Sequence, residues 1–153
     1  MMSDPIEFTY TSARHALPFL FQGQAQKEFF VNEALARLDA LSHMDVLGSA
    51  SEAPASAAEG ECFIVGTAAT GAWSGQDGKI ASYQSGTWLF LQPVEGMHAF
   101  DRSTGSFVLF DGIWKSASAV SDPSGGTTID AEARNAISAL IASLVETGIL
   151  PSA

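Results

Sequence analysis

Four aromatic side chains lie close to glycine-containing turns, and they are the residues of this sequence best suited to bind a ligand. They are Trp73, Tyr83, Trp88 and Trp114. Flat apolar rings of this kind stack on sugar rings in carbohydrate-binding proteins, so these residues are candidate glycan contacts. The same rings would fill the core of a small sheet, because tryptophan buries a large apolar area. The sequence favours the core role and leaves the sugar-binding role open.

The sequence contains no recognisable set of catalytic side chains. It has no Gly-x-Ser-x-Gly turn for a nucleophilic serine and no Gly-Lys-Ser/Thr phosphate loop. Glu52, Glu59 and Glu61 are neighbouring acids, but their polar loop is typical of solvated surface rather than of the paired acids of a glycosidase. We therefore predict that the chain is not an enzyme and needs no cofactor.

A metal site is not indicated either. The three histidines are His15, His43 and His98, which are far apart in the sequence and lack metal-ligand spacing. The single cysteine, Cys62, lies in a strand-like segment, where a small buried side chain is its usual role. We predict no metal centre and no intramolecular disulfide.

Net charge excludes two classes of partner. The chain carries seven Lys and Arg against seventeen Asp and Glu, which gives a formal net charge of −10. Nucleic acids and anionic membranes both require clustered basic residues, so we predict direct binding to neither. The N-terminus is acidic rather than basic, and no apolar run reaches the roughly 18 residues of a membrane span. These features predict a protein made in the cytoplasm without a signal peptide.

A low content of charged residues indicates assembly. Only 16% of the residues are charged, against roughly 25% in average globular chains. A small protein with so little charged surface usually buries part of that surface against a copy or a partner. The alternative is a monomer with a surface rich in Ser, Thr, Gly and Ala.

Helical periodicity appears first between Leu17 and Leu47. The residues of one apolar face are spaced by four, three and three: Val31, Leu35, Leu38 and Leu41. The helix is predicted to begin near Gln24 and to end by Gly48. Residues 1–16 are predicted to be an N-terminal arm, with one short strand at 6–11 that pairs only in an assembly.

Short apolar segments separated by turns fill residues 61–117. They predict strands near 61–65, 79–83, 87–91, 97–100, 106–110 and 113–115. Asp111-Gly112 is a strong signal for a two-residue hairpin turn. Strands of this length with turns about every ten residues are typical of an antiparallel meander.

A second helix is predicted from about residue 129, with Thr or Asp as its cap and Gly148 and Pro151 at its end. Its apolar stripe contains Ile137, Leu140, Ile141 and Leu144, which we predict to be oligomerisation residues. A helix this short is marginal alone, so it must pack on something. We favour a short bundle with other subunits, and packing on its own sheet is the alternative.

The predicted fold is α+β. It combines an N-terminal amphipathic helix, a small antiparallel β-meander or barrel-like sheet, and a C-terminal oligomerisation helix. The predicted organisation is an arm at 1–16, a helix plus antiparallel β domain at 17–117, a linker at 118–128 and the C-terminal helix at 129–153.

The most distinctive motif of the chain is the segment Gln24–Leu41, with the Gly and Trp pattern of the β block after it. The segments that carry a family resemblance are Leu17-Pro18, Gln24–Lys27, Asn32–Asp39, Pro54, Glu59-Gly60, Phe63–Val65, Thr70–Trp73, Gly78–Ala81, Gly86–Trp88 and Phe110–Trp114. They resemble a family of domains of unknown function, number 2793, found in head-spike and tail-fibre-like proteins of alphaproteobacterial phages and gene transfer agents. Residues Ile129–Ile137 are similar to a helical module that oligomerises in phage fibre proteins.

The resemblance implies a virion component that works in host surface attachment. The implied form is a spike, fibre or fibre-adaptor subunit, or a capsid-decorating or tail accessory protein. Its implied partners are copies of itself, with a trimer favoured and a pentamer as alternative, other capsid or tail proteins, and the host capsular polysaccharide. A carbohydrate-binding module that uses the aromatic residues is the competing hypothesis from the residues themselves.

Overall fold

The computed structural model describes residues 10–23, 27–126 and 130–152, and it has the predicted α+β class. It contains two helices and two four-stranded mixed sheets. The helices are α1, Lys27–Leu41, and α2, Ala131–Glu146. The strands are β1 (Asp45–Val46), β2 (Ser49–Ala50), β3 (Cys62–Val65), β4 (Ile80–Gln84), β5 (Thr87–Leu91), β6 (His98–Asp101), β7 (Ser106–Phe110) and β8 (Trp114–Ser116).

The chain divides into two compact units. The first consists of Met1–Met44 and Ala50–Gln92, and the second of Asp45–Ser49 and Pro93–Ala153. The boundary after Gln92 falls inside the segment 17–117 that the sequence predicts as one domain. Independent folding of 17–117 therefore stays a prediction. The predicted strand at 6–11 and the predicted helix start near Gln24 fall largely outside the described residues, as do residues 127–129.

The two sheets correct the predicted barrel-like meander. Neither sheet closes into a barrel, so that part of the prediction is wrong. The predicted strands belong to two separate sheets. The first sheet has the strand order β2-β3-β4-β5, and the second sheet has the strand order β1-β6-β7-β8. Strand β1 pairs with β6 in parallel, with Asp45 opposite Phe100. A two-residue strand has no alternation of side chains, so the sequence pattern cannot reveal β1.

The first sheet forms a hairpin between β4 and β5. Gln84 pairs with Thr87, so Ser85 and Gly86 form a two-residue turn. Their φ angles are +51° and +75°, and positive φ at both positions defines the type I′ turn that suits the twist of a hairpin. The buried core behind this sheet contains Val65, Ala69, Trp73 and Ala81. The hairpin therefore places its aromatic side chains against a compact core.

The second sheet ends in a three-residue loop. Phe110 pairs with Trp114, and Asp111, Gly112 and Ile113 connect them. The predicted two-residue turn is therefore one residue too short. Gly112 has φ +91°, a conformation that glycine adopts without a steric penalty.

Helix α1 is oriented with most of its large apolar side chains outward. The buried residues of the helix are Ala36, Asp39 and Ala40. Of the predicted apolar stripe, Leu35 is half-buried, whereas Leu38 is 52% exposed and Val31 and Leu41 are exposed as well. The helix ends at Leu41, well before Gly48. The inner face of α1 is therefore small and polar.

Helix α2 has the predicted cap and an exposed body. The Asp130 side chain accepts a hydrogen bond from the Ala133 amide at 2.9 Å, and none of the sixteen helical residues is buried. The end of the helix is fastened to the second sheet, because the Phe107 amide donates to the Gly148 carbonyl at 2.8 Å. Neither described helix has the length and apolarity needed to cross a bilayer.

Candidate functional site

Asp39 is the centre of the densest polar network in the first unit. Its side chain is fully buried. Oδ1 accepts from the Ser12 hydroxyl at 2.6 Å and from the His15 amide at 2.7 Å, and Oδ2 accepts from the Arg14 amide at 2.9 Å. Gln84 Nε2 donates to Oδ2 at 3.3 Å. The carboxylate therefore joins residues 12–15, helix α1 and strand β4.

The network favours the ionised form of Asp39. Burial alone would raise the pKa of this carboxyl. The hydrogen bonds from Ser12, from the Arg14 and His15 amides and from Gln84 act in the opposite direction, and the pKa lies below its usual value of 3.8. Asp39 is therefore a buried anion held by donors.

Ser12, His15 and Asp39 have the residue types of a nucleophilic triad, but they do not have its geometry. In a triad the serine donates to the histidine, whereas Ser12 donates directly to Asp39. The Ser12 oxygen also accepts from the Leu17 amide at 3.0 Å, and Ser12 is buried. The Ser12 hydroxyl thus uses both its donor and its acceptor in hydrogen bonds that hold the fold together. Among the described residues no cluster of three or more His, Cys, Asp or Glu is placed to hold a metal ion.

Arg14 fastens the same segment to the end of α1. Its Nη1 donates to the Ala40 carbonyl at 2.9 Å and to the Asp39 carbonyl at 3.4 Å, and its Nη2 donates to the His43 carbonyl at 3.0 Å. The last carbonyls of a helix have no partner within the helix, and a cation there is favourable. The segment before α1 thus supplies the C-terminal cap of α1.

Three of the four candidate glycan residues come together in the first unit. The ring centroids of Trp73 and Trp88 are 5.0 Å apart, and those of Tyr83 and Trp88 are also 5.0 Å apart. Phe63 completes the cluster at 5.6 Å from Trp73. Trp73 is fully buried, so its ring offers no face to a ligand and serves the core. The sugar-stacking hypothesis narrows here to Tyr83 and Trp88.

Tyr83 and Trp88 border a surface groove. Both are half-buried, and the groove has a volume of about 370 Å³. The loop residues Ala53–Ala57 and Thr87 also line the groove. Serine and threonine hydroxyls are among the polar groups that orient a ligand in a binding site.

Trp114 belongs to the second unit, where its ring lies 5.3 Å from that of Phe110. It is half-buried against its own hairpin. The hairpin that carries Trp88 and the hairpin that carries Trp114 therefore belong to different units.

The predicted oligomerisation residues lie on the body of α2. Ile137 is 46% exposed and Leu140 is 59% exposed, whereas Ile141 and Leu144 are half-buried. Their spacing of three and four places them along one side of the helix. Helix α2 thus carries an apolar stripe that its own unit leaves accessible.

Sequence reasoning missed the structural roles of several polar residues. Glu59, which the sequence places on a solvated loop, accepts from the Ser85 and Gly86 amides at 2.6 and 2.8 Å and so fixes the turn beside Tyr83 and Trp88. The sequence does contain an indication of the role of Asp39, because an acid between Ala36 and Ala40 on a helix face of small residues indicates a buried hydrogen-bond partner. The sequence contains no such indication for Glu59, since its partners are backbone amides far along the chain.

The fold and these surfaces define an α+β protein with an aromatic hairpin groove and apolar helix faces, and with no assembled catalytic set among the described residues. A family model described as "Protein of unknown function (DUF2793)" matches residues 31–115. The match covers more than half of the chain, and the chain belongs to this family. No curated protein matches it.

Proposed function

We propose that this protein is a non-enzymatic structural subunit of a phage-like or gene-transfer-agent particle that takes part in attachment to the host surface. It is a spike, fibre or fibre-adaptor subunit that assembles with copies of itself, and it acts in the virion. The particle setting rests on the motif resemblance centred on Gln24–Leu41. The assembly rests on the structure of α2.

The exposed stripe on α2 is the observation that carries the proposal. None of the sixteen residues of this helix is buried. A helix of this length is marginal in water without tertiary packing. Copies of the stripe packed against one another would remove Ile137 and Leu140 from water and stabilise the helix, since each buried aliphatic side chain contributes about 1.5–3 kcal/mol.

Spacing on α2 suits a bundle of equivalent helices. Ala133, Ile137, Leu140 and Leu144 alternate steps of four and three, which is the repeat of helices that pack in a left-handed bundle. A trimer is the favoured number of copies and a pentamer is the alternative. Capsid or tail proteins and the host capsular polysaccharide are the other proposed partners.

The change Leu140→Glu tests assembly through α2. We expect the wild-type protein to have a mass in solution that is a multiple of the 16.0 kDa chain. A charge buried against apolar neighbours opposes association, so the variant should dissociate at a concentration at least about tenfold higher, or be monomeric. Sedimentation velocity or mass photometry at micromolar concentration measures this.

Ala142→Glu is the matched control, because Ala142 is exposed and lies on the opposite side of α2 from Leu140. It introduces the same charge and should leave the mass unchanged. A wild-type protein that is strictly monomeric at micromolar concentration would contradict the proposal. The virion assignment would be contradicted if images of intact particles showed no copy of this subunit at any repeated position on the head or the tail.

Carbohydrate binding is the second candidate function, and the groove beside Tyr83 and Trp88 is the observation that favours it. The half-buried rings, the Thr87 hydroxyl and the loop Ala53–Ala57 form a site of about 370 Å³, a size within the range of about 300–1,000 Å³ common for small-molecule sites. The proposed ligand is a short stretch of surface polysaccharide.

Trp88→Ala is expected to weaken glycan binding at least about thirtyfold, because a central tryptophan of a binding site contributes about 2 kcal/mol or more. Binding to bacterial capsular oligosaccharides on an array, with circular dichroism to check folding, measures this. Trp114→Ala is the control, since it removes a half-buried tryptophan from the hairpin of the second unit. Equal losses in both variants would reject the groove as the site.

A further inference from the structure

The groove beside Tyr83 and Trp88 has an uncharged lining. Among the described residues, those that line it include no Lys, Arg, His, Asp or Glu. The loop Ala53–Ala57 contributes small apolar side chains and the Ser56 hydroxyl, and Thr87 contributes a second hydroxyl. A charged ligand would therefore find no side chain of opposite charge in the part of the groove that the structure describes.

Glu52 places a carboxylate at one edge of this groove. Its Oε1 lies 3.6 Å from the position that a Cβ atom would occupy on Gly71. Glu52 directly precedes Ala53 and Gly71 directly precedes Ala72, and both of these alanines line the groove. Glu52 is exposed, so its carboxylate can meet a ligand at this edge.

Glu59 places a second carboxylate beside the β4–β5 turn. Its Oε2 accepts from the Ser85 amide at 2.6 Å, and its Oε1 accepts from the Gly86 amide at 2.8 Å. Gly86 lines the groove, so the charge of Glu59 lies one hydrogen bond away from a lining residue. Glu52 and Glu59 together form an acidic rim around an uncharged lining.

Backbone hydrogen bonds hold the groove in shape. The Thr70 amide donates to the Ser51 carbonyl at 2.8 Å, and the Gly60 amide donates to the Tyr83 carbonyl at 2.8 Å. These bonds join the loop at one side of the groove to the segment before Trp73 and to strand β4. A site that is already formed binds its ligand without the entropic cost of ordering the loops.

The acidic rim opposes anionic ligands. Charges less than about 10 Å apart still interact at 0.1 M salt, and a ligand that contacts Gly86 would lie within this distance of Glu59. Carboxylate and phosphate groups of a ligand bind most strongly to Arg and Lys, which the described lining does not supply. Hydroxyl groups of an uncharged sugar can instead donate hydrogen bonds to a carboxylate, which accepts only.

We propose that the groove between Trp88 and the loop Ala53–Ala57 selects uncharged sugar residues and rejects acidic ones, such as uronic acids and sugar phosphates. The proposal rests on the second candidate function, carbohydrate binding beside Tyr83 and Trp88. The aromatic rings provide the stacking surface, and the rim of Glu52 and Glu59 determines the specificity.

A matched pair of ligands tests this specificity. Capsular oligosaccharides that contain glucuronic acid are immobilised before and after chemical reduction of their carboxyl groups to primary alcohols, which converts glucuronic acid to glucose. The wild-type protein is expected to bind the reduced, uncharged form at least about tenfold more tightly than the acidic form, because only the acidic form is repelled by the rim. Tighter binding of the acidic form would overturn the proposal.

The change Glu52→Lys tests the role of the rim. Glu52 is exposed, so the fold should tolerate lysine, and circular dichroism checks this. Replacing the carboxylate with a cation should tighten binding of the acidic form at least about tenfold at 50 mM salt, and this gain should shrink at 500 mM salt because salt screens exposed charges. Binding of the reduced form should change little.

Glu95→Lys is the matched control, because it makes the same change in net charge at an exposed turn residue that belongs to the second unit. It should leave the preference for the reduced form unchanged. Equal gains in Glu52→Lys and Glu95→Lys would overturn the rim as the source of specificity. Wild-type binding to both ligand forms with equal affinity, lost in Trp88→Ala, would overturn the specificity alone, whereas no binding to either form would reject carbohydrate binding itself.

Discussion

Replacing Asp39 with alanine is expected to lower the free energy of unfolding by about 3–5 kcal/mol, because several donors lose their shared acceptor at once. The Ser12 hydroxyl and the amides of Arg14 and His15 would lose their acceptor. Each buried donor without a partner costs about 1–3 kcal/mol. Residues 12–15 would also lose their attachment to α1.

Urea denaturation of Asp39→Ala, Asp39→Asn and wild type measures this effect. The asparagine variant keeps the size and one acceptor oxygen, so it should be less damaging than alanine. Glu33→Gln is the control on the same helix, because Glu33 pairs with Arg37 near the surface, and it should cost no more than about 1 kcal/mol. An alanine variant within about 1 kcal/mol of wild type would show that the network contributes little to stability.

Asp39 also predicts a dependence of stability on pH. Its pKa in the folded protein is lowered from the usual 3.8, so the unfolded chain takes up the proton first as pH falls. The stability that Asp39 contributes is therefore complete above 3.8 and is lost as pH falls through the lower folded pKa. Urea midpoints from neutral pH into this acid range should fall, and the fall should be shallower in Asp39→Asn.

Trp73→Ala is expected to cost about 3–5 kcal/mol, the usual range for a large aromatic side chain removed from a core. Trp73 is fully buried. Its ring packs 5.0 Å from Trp88 and 5.6 Å from Phe63, so alanine would leave a cavity at the centre of the aromatic cluster. Chemical denaturation followed by circular dichroism measures the loss.

Trp73→Phe should be much milder than alanine. The indole Nε1 is buried and has no acceptor among the described residues, and a phenyl ring removes this donor while keeping part of the ring volume. Trp114→Ala is the control, because Trp114 is only half-buried. If Trp73→Ala were no more costly than Trp114→Ala, the cluster around Trp73 would not be the core of its unit.

Strands with clear alternation and glycine turns could be predicted closely from the sequence. The predicted segments 87–91 and 106–110 agree with β5 and β7 at both ends, because turn residues bound each of them. Strands β1 and β2 could not be predicted, since two residues carry no period. Nor could the division of the β block between two units, because pairing such as Asp45 with Phe100 depends on contacts that local pattern does not contain.

The sequence identifies candidate residues but not their surroundings, for the same physical reasons. A period of 3.6 residues revealed the apolar stripe of α1, but a period does not state which side of a helix faces the core. The side of α1 that contains Asp39 faces inward, because Asp39 accepts hydrogen bonds from donors near residue 14, which lie far from it in the sequence. The sequence groups four aromatic residues as candidate glycan contacts, but it cannot show that Trp73 is buried whereas Tyr83 and Trp88 are half-buried.

The parallel pairing of β1 with β6 has a consequence for synthesis on the ribosome. Asp45 and Val46 emerge before Phe100 and Asp101, their partners, by more than a third of the chain. The segment of the first unit from Ala50 to Gln92 lies entirely between them. All residues of the first unit are therefore synthesised before β6, the partner of β1, emerges. The second unit is completed last.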